Sequence, residues 1–152
     1  MTNACSAGRT LILALGFLLS LVGCTNISIK PVSAEPRIKE VLIQENPKVL
    51  VGDFLTVLTD GFKRHGIAVT VIPVSVEPQG AFIVTYQAYR TWDFASYLCD
   101  ATITLSKDGR KVAQALYHLK GGGGFSLTKW SGSKAKIDPV IDELLKEYPV
   151  AH

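Results

Sequence analysis

The spacing of apolar residues divides most of the chain into strands and helices. Apolar and polar positions alternate over residues 81–92 and again over residues 97–105, which is typical of strands with one buried face. Shorter β-branched runs over residues 37–45 and 67–74 predict two further strands, and Pro73 places the end of the second at an edge or a turn. Four segments of the chain therefore have strand character, and the turn at residues 107–109 predicts a fifth strand after it.

Two other segments repeat their apolar residues at helical intervals. In the first, residues 50–62, apolar side chains recur every four positions, and a helix is predicted from about Asp53 to the basic residues and glycine of residues 63–66. In the second, residues 137–148, Asp138–Pro139 fits the N-cap and first position, although the lysines just upstream could extend the helix. Because the first helix joins two predicted strands, we expect a βαβ unit with parallel strands.

The turn at residues 107–109 (Lys-Asp-Gly) decides which residues of the following strand face the core. A two-residue Asp-Gly loop puts polar residues opposite Ile103 and Cys99, namely Gln114 and His118. A three-residue loop with Gly109 in the left-handed conformation puts apolar residues there, namely Ala113 and Tyr117. We predict the three-residue loop, because it keeps polar residues off the apolar face.

The first 24 residues contain a single charged side chain and an apolar run. Arg9 supplies a positive charge, and residues 10–22 form an apolar run of thirteen, whereas a membrane-spanning helix needs about twenty. Such a leader with a small residue at the cleavage position is typical of a secretory signal, which is removed. Because Gly23 is followed by Cys24, Leu21–Cys24 resembles the lipobox of bacterial lipoproteins, in which the cysteine carries diacylglyceryl and an acyl group such as palmitate. The alternative is a plain secreted protein in which Cys24 is incidental.

These patterns predict three segments. Residues 1–23 are a signal peptide, and residues 24–36, with prolines and no sustained periodicity, are a lipidated tether. Residues 37–152 form one α+β domain with a mixed, mostly antiparallel sheet of about five strands, a βαβ start and two helices packed on one face. Thr25, rather than Asp, follows the cysteine, which resembles the pattern sorted to the Gram-negative outer membrane. We expect the inner leaflet of that membrane, facing the periplasm.

Charge and cysteine content argue against nucleic-acid binding and against an internal disulfide. Without Arg9 the chain has 15 basic and 13 acidic residues, a net charge of +2 scattered along the sequence, which does not suggest nucleic-acid binding. Cys5 leaves with the signal peptide and Cys24 is expected to be a thioether. Cys99 therefore has no partner for an internal disulfide.

No motif indicates catalysis, a cofactor or a metal. Residues 121–124 are four glycines, but the Lys-Ser/Thr of a phosphate-binding loop is absent, so we interpret them as a bend. Cys99 and His118 are the one pair resembling a thiol nucleophile and its base, and the predicted register sets them on opposite faces of the sheet. His65 and His152 share no metal-ligand spacing with His118. We therefore expect a protein that is not an enzyme.

Three segments resemble a group of small, functionally uncharacterised Gram-negative outer-membrane lipoproteins: YQAYRTW at residues 86–92, LSKDGRK at residues 105–111 and YHLKGGGGFSLTKW at residues 117–130. More loosely, the layout of lipobox, strand, helix, antiparallel strands and closing helix is similar to the lipoproteins that assist lipopolysaccharide assembly or ABC-type transport. The resemblance implies a partner-binding, non-catalytic role in the envelope. The one site residue that it carries over is Cys24.

A surface of aromatic and basic residues is the candidate interaction site. If the second to fifth predicted strands form an antiparallel meander, Arg37 and His65 lie at the same end of the sheet as a group of aromatic and basic residues: Arg64, Trp92, Phe94, Lys120, Phe125, Lys129 and Trp130. The expected partner surface consists of Trp92, Asp93, Phe125, Lys129 and Trp130. Such residues suit an envelope partner or lipid headgroups, and the tryptophans could instead cap the core. The alternative functions are a carrier of apolar ligands, with a cavity lined by core residues, and a thiol-dependent periplasmic enzyme. The cavity would be lined by Phe54, Leu58, Tyr86 and Leu144.

Overall fold

A computed structural model of the chain describes residues 25–76, 78–119 and 127–150. The strands are β1 (Thr25–Lys30), β2 (Glu40–Gln44), β3 (Ala68–Ile72), β4 (Phe82–Asp93), β5 (Ala95–Lys107) and β6 (Arg110–Leu119). The helices are α1 (Phe54–Arg64) and α2 (Ser133–Leu144), with a short 3₁₀ helix at Leu127–Trp130. In this part of the chain six strands form one mixed sheet in the order β1-β6-β5-β4-β2-β3. The α+β class is confirmed, with six strands where we predicted about five.

The extra strand is β1, in the segment predicted to be a tether. It pairs antiparallel with β6 along its whole length and forms one edge of the sheet. Ile29 packs partly buried against the core, whereas Ile27 is 46% exposed. Two isoleucines in six residues give too short an alternation to identify a strand from sequence, and it is the pairing with β6 that holds the segment in place.

A βαβ unit forms from β2, α1 and β3, although it follows β1 instead of starting the domain, and β2 takes an unexpected place in the sheet. β2 pairs parallel with β3, and it also pairs parallel with β4 through Leu42 and Ile43. The expected meander, with β4 antiparallel to β3, is therefore wrong. β3, which is short, lies at the second edge of the sheet, and the chain returns past β2 to begin β4. Consequently Arg37 and His65 lie at the end of the sheet that holds the Asp108–Gly109 turn, opposite to Trp92.

The β5–β6 hairpin has a two-residue loop followed by a shift in strand pairing. Lys107 pairs with Arg110, so the loop has two residues, and both have positive φ (Asp108 49°, Gly109 73°), as a type I′ turn requires. An irregularity after Leu105 then shifts the pairing by one residue. The predicted three-residue loop is wrong. The predicted orientation of the side chains is right, because the two-residue loop and the one-residue shift together place the same side chains of β6 on the core face. Apolar residues of β6 therefore face the core opposite those of β5: Ala113, Ala115 and Tyr117.

Both helices contribute to one core on the apolar face of the sheet. α1 agrees with its predicted bounds. α2 begins at Ser133, so the upstream extension is right and Pro139 lies inside the helix. The two helices approach closely at Gly61, where a Cβ atom would lie 2.5 Å from Cδ1 of Ile141. They also run in the same direction, since Ser133 contacts Asp53 at their starts and Arg64 contacts Asp142 near their ends.

Candidate interaction surface at the tip of the β4–β5 hairpin

The tip of the β4–β5 hairpin, residues 92–94, carries two aromatic rings in solvent. Trp92 is 75% exposed and Phe94 is 83% exposed. Asp93 pairs with Ala95 across the turn, which leaves Phe94 at the apex with φ of 59°. A bulky residue with positive φ is an outlier that costs about 1–2 kcal/mol. The fold thus holds an aromatic side chain outward in a strained conformation, which is a common feature of functional sites.

Three of the predicted surface residues hold this tip in place. The Lys129 ammonium pairs with the carboxylate of Asp93, and Trp130 Nε1 donates to the Asp93 carbonyl oxygen at 3.1 Å. The hydrogen bond with Asp93 raises the pKa of Lys129, which also lies 4.8 Å from the ring centroid of Tyr97. These residues form what we call the clamp: Asp93, Lys129 and Trp130. It is not itself the exposed surface, since Lys129 and Trp130 are only partly exposed.

The predicted surface therefore separates into an exposed part and a supporting part. Trp92 is exposed rather than on the buried face, because β4 and β5 extend at this end beyond the helices. Phe94, which the sequence placed in the same group of aromatic and basic residues, is more exposed than Trp92. Phe125 lies outside the described residues. The neighbouring residues 120–126 also lie outside the described residues, so they are not included in the candidate surface.

Lys136 supports the base of the hairpin and was missed from sequence. Its side chain is buried, and Nζ donates to the carbonyl oxygens of Leu98 (3.1 Å) and Lys129 (2.6 Å). Burial lowers the pKa of Lys136. The ammonium thus joins α2 to β5 and to the short 3₁₀ helix. The one signal in the sequence was a lysine next to Ile137, within the helical spacing of buried residues.

The tip lies at the same end of the sheet as Thr25. Asn26 of β1 is level with Tyr89 of β4, through the paired residues His118 and Asp100. Thr25 lies one residue further toward this end, and β4 continues beyond it to the tip. At about 3.3 Å per strand residue, the tip stands roughly 10 Å beyond Thr25. Three strand spacings separate β1 from β4, or about 15 Å across the sheet.

Leu50, which is 88% exposed, lies at this end as well. It precedes α1 by a few residues, and Asp53 at the start of that helix contacts Arg90 near the tip (3.6 Å). Among the described residues, the three most exposed large apolar side chains thus lie at the Thr25 end of the molecule: Leu50, Trp92 and Phe94. Exposed apolar side chains gathered at one end of a molecule are typical of an interaction surface.

The contacts of Cys99 and His118 do not form a nucleophile and base. Tyr89 pairs with Asp100 and Arg90 with the residue before Cys99, so Cys99 is the extra residue of a bulge. Its Sγ donates to the Tyr89 carbonyl oxygen at 3.4 Å, whereas His118 Nδ1 contacts Asp100 at 2.6 Å. Burial, followed by the charge of Asp100, raises the pKa of the thiol. A protonated thiol is a poor nucleophile.

The residues named for an apolar cavity are part of the buried core. The rings of Phe54 and Tyr86 stack with their centroids 5.5 Å apart, and Leu58 and Leu144 are fully buried. Among residues 25–76, 78–119 and 127–150, no cluster of three or more His, Cys, Asp or Glu side chains could hold a metal ion. Within the same residues, no helix has the length and apolar character needed to cross a membrane.

Solved structures of similar fold come from Paraburkholderia phytofirmans. A PelC dodecamer and a single-residue variant of it are 14% and 15% identical to this chain, with TM-scores of 0.54 and 0.55, and each match covers 85% of this chain and 100% of theirs. A minor lipoprotein from Acinetobacter baumannii is 14% identical over 72% of this chain and 87% of its own, with a TM-score of 0.35. No protein family and no curated protein match the chain. The likeness to PelC shows a shared fold.

Proposed function

We propose that this chain is a lipoprotein of the cell envelope, held by acyl chains on Cys24 in the periplasmic leaflet of the outer membrane, with a non-enzymatic accessory role. The observation that carries the proposal is the position of β1. This strand begins at Thr25, the residue after the lipobox cysteine, and pairs with β6 throughout. A lipid on Cys24 would therefore be joined to the edge of the sheet itself.

Direct attachment to the sheet changes how the domain would sit on the membrane. A free segment of twelve residues could reach about 40 Å from the bilayer. With β1 in the sheet, Cys24 is one residue from the folded domain, a distance of about 4 Å. Two or three acyl chains contribute roughly 0.8 kcal/mol per buried CH₂, which makes attachment durable. The domain would then stand on the leaflet with its Thr25 end toward the lipid.

An interaction role, rather than catalysis, is supported by the features of this end. Trp92 and Phe94 are exposed on a hairpin that the clamp holds in one conformation, and a preorganised surface loses little entropy on binding. Two lysines near it make structural contacts: Lys129 with Asp93, and Lys136 with two carbonyl oxygens. This arrangement suits contact with a partner.

The test replaces cysteines of the full chain in Gram-negative cells. In Cys24→Ser, we expect the leader to remain uncleaved and labelling with a palmitate analogue to disappear. Cys99→Ser is the matched control, and it should be processed, labelled and recovered with outer-membrane fractions like the wild type. Equal labelling of wild type and Cys24→Ser, or release of the wild type with the soluble periplasm, would show that the chain is not a lipoprotein.

A further inference from the structure

We propose that the tip of the β4–β5 hairpin is a second membrane contact: Trp92 and Phe94 insert into the phospholipid leaflet that holds the acyl chains of Cys24. This proposal rests on the proposed lipid anchor and extends it from attachment to orientation. The ligand is the boundary between lipid headgroups and acyl chains. Two separated contacts, one on β1 and one on the tip, would fix the tilt of the sheet on the membrane, which a single anchor leaves free.

The positions of the two contacts fit one membrane plane. Cys24 directly precedes Thr25 at this end of the sheet, and the tip stands roughly 10 Å beyond Thr25 and about 15 Å to its side. An acylated cysteine at the level of the headgroups would thus place the tip several ångströms deeper. Interfacial apolar groups are buried by about 5–10 Å into the boundary of headgroups and acyl chains.

The chemistry of the tip fits lipid better than water. Trp and Phe are the side chains that anchor surface segments at the membrane interface. The one carboxylate of the tip, Asp93, is paired with Lys129, so no unpaired negative charge faces the lipid. Arg90 at its base is close to Asp53 at 3.6 Å. Leu50 adds a third exposed apolar side chain at the same end of the molecule.

The strained apex is independent support for this role. Phe94 has φ of 59° in a position where glycine or asparagine would be relaxed, and its ring is 83% exposed and so has little packing to compensate for the strain. Folding alone does not explain an aromatic ring at this position. Burial of the ring in lipid would.

The experiment uses the acylated full-length protein in vesicles of phosphatidylethanolamine and phosphatidylglycerol, with and without lipids brominated on their acyl chains. The chain has two tryptophans, Trp92 and Trp130, and bromine quenches only a ring in contact with the acyl region. We expect marked quenching in the wild type and little in Trp92→Phe, whose remaining Trp130 is half-buried against Asp93. The mass of the protein, measured first, establishes whether Cys24 is acylated.

A charge-insertion pair supplies the matched control. Phe94→Asp places a carboxylate at the apex and should reduce the bromine quenching of Trp92 several-fold. Val150→Asp places the same charge on an exposed apolar position near Tyr148, which contacts His65 at the other end of the sheet, and should quench like the wild type. Thermal unfolding of both variants confirms that they are folded.

The outcomes separate the two proposals. Acylated, vesicle-bound protein whose Trp92 is not quenched overturns the tip contact and leaves the anchor standing. Blue-shifted emission without bromine quenching would place Trp92 against protein, either a second copy or an envelope partner, and also overturns it. Quenching that survives Trp92→Phe would come from Trp130 and contradict the assignment. A chain without acyl groups that fails to bind vesicles overturns both proposals.

Discussion

Substitution of Phe94 by glycine should make the domain more stable while weakening its membrane contact. Phe94 has φ of 59°, where a side chain with a Cβ atom is strained and glycine is not. Replacing glycine by alanine at positive φ lowers the free energy of unfolding by about 1 kcal/mol. This figure includes the opposing effect of glycine's greater conformational freedom in the unfolded chain. Because the ring is 83% exposed, its removal loses little burial, within about 0.5 kcal/mol. Phe94→Gly should therefore gain about 1 kcal/mol over Phe94→Ala, which should resemble the wild type.

The comparison is measured by urea unfolding and by thermal unfolding of the three proteins. For a domain of this size, 1 kcal/mol corresponds to a rise in Tm of about 3–5 °C, with the slope of the urea transition unchanged. In vesicles, both variants should lose quenching of Trp92 to the same extent, since both lack the ring. If Phe94→Gly is no more stable than Phe94→Ala, the apex is not strained and the backbone argument for its function is refuted.

Three further predictions concern the packing and titration of the domain. Gly61→Ala should destabilise the domain by about 1–2 kcal/mol, since the new Cβ atom would lie 2.5 Å from Ile141 Cδ1. In a double-mutant cycle measured by urea unfolding, Ile141→Val should recover part of this loss. Additive effects of the two substitutions would contradict the contact. Burial raises the pKa of Asp142, but hydrogen bonds from Arg64 and His65 outweigh it and hold the pKa below its ordinary value. The ionised Asp142 carboxylate therefore stabilises the fold above about pH 4, and this stabilisation is lost as the pH falls further. Asp142→Asn should make the free energy of unfolding less dependent on pH in the acid range. An unchanged dependence would show that the carboxylate is not linked to folding. Because the pKa of Cys99 is raised, iodoacetamide at neutral pH should label the folded protein much more slowly than the urea-unfolded one, whereas rapid labelling of the folded protein would favour a reactive thiol.

The local elements were predictable because their patterns are long. β4 and β5 span 12 and 13 residues and repeat their alternation several times, and α1 shows three turns of helical spacing. The facing of β6 was also correct, although the predicted pairing was two residues off. The face that a side chain occupies depends only on whether the shift in pairing is odd or even. A two-residue loop followed by a one-residue shift places the same side chains of β6 on the core face as a three-residue loop would.

The position of each strand in the sheet was less predictable, because pairing depends on contacts that the local sequence does not carry. β2 lies between β3 and β4, and the assumption that consecutive strands pair placed Arg37 and His65 at the wrong end. β1 is held by pairing with β6, which its six residues do not announce. The bulge at Cys99 reverses the alternation locally, so that Leu98 is buried at 2% exposure in a strand predicted to face it outward.

The sequence grouped the residues of the candidate surface without separating those that face solvent from those that support them. Aromatic and basic residues near the turn after β4 pointed to this end of the molecule. Which of them face solvent depends on the hydrogen bonds of the clamp, and on the left-handed conformation of Phe94, neither of which has a sequence signature. The sequence grouped Phe94 with Lys129 and Trp130 and did not separate the exposed apex from the two residues that support it.

The most direct test of the account is the mass of the mature protein purified from envelope membranes. We predict a chain that begins at Cys24 and is heavier than its amino-acid sequence by a diacylglyceryl group and an amide-linked acyl chain, with all of the added mass on the N-terminal peptide. A product that retains residues 1–23, or one whose Cys24 carries an unmodified thiol, would contradict the account.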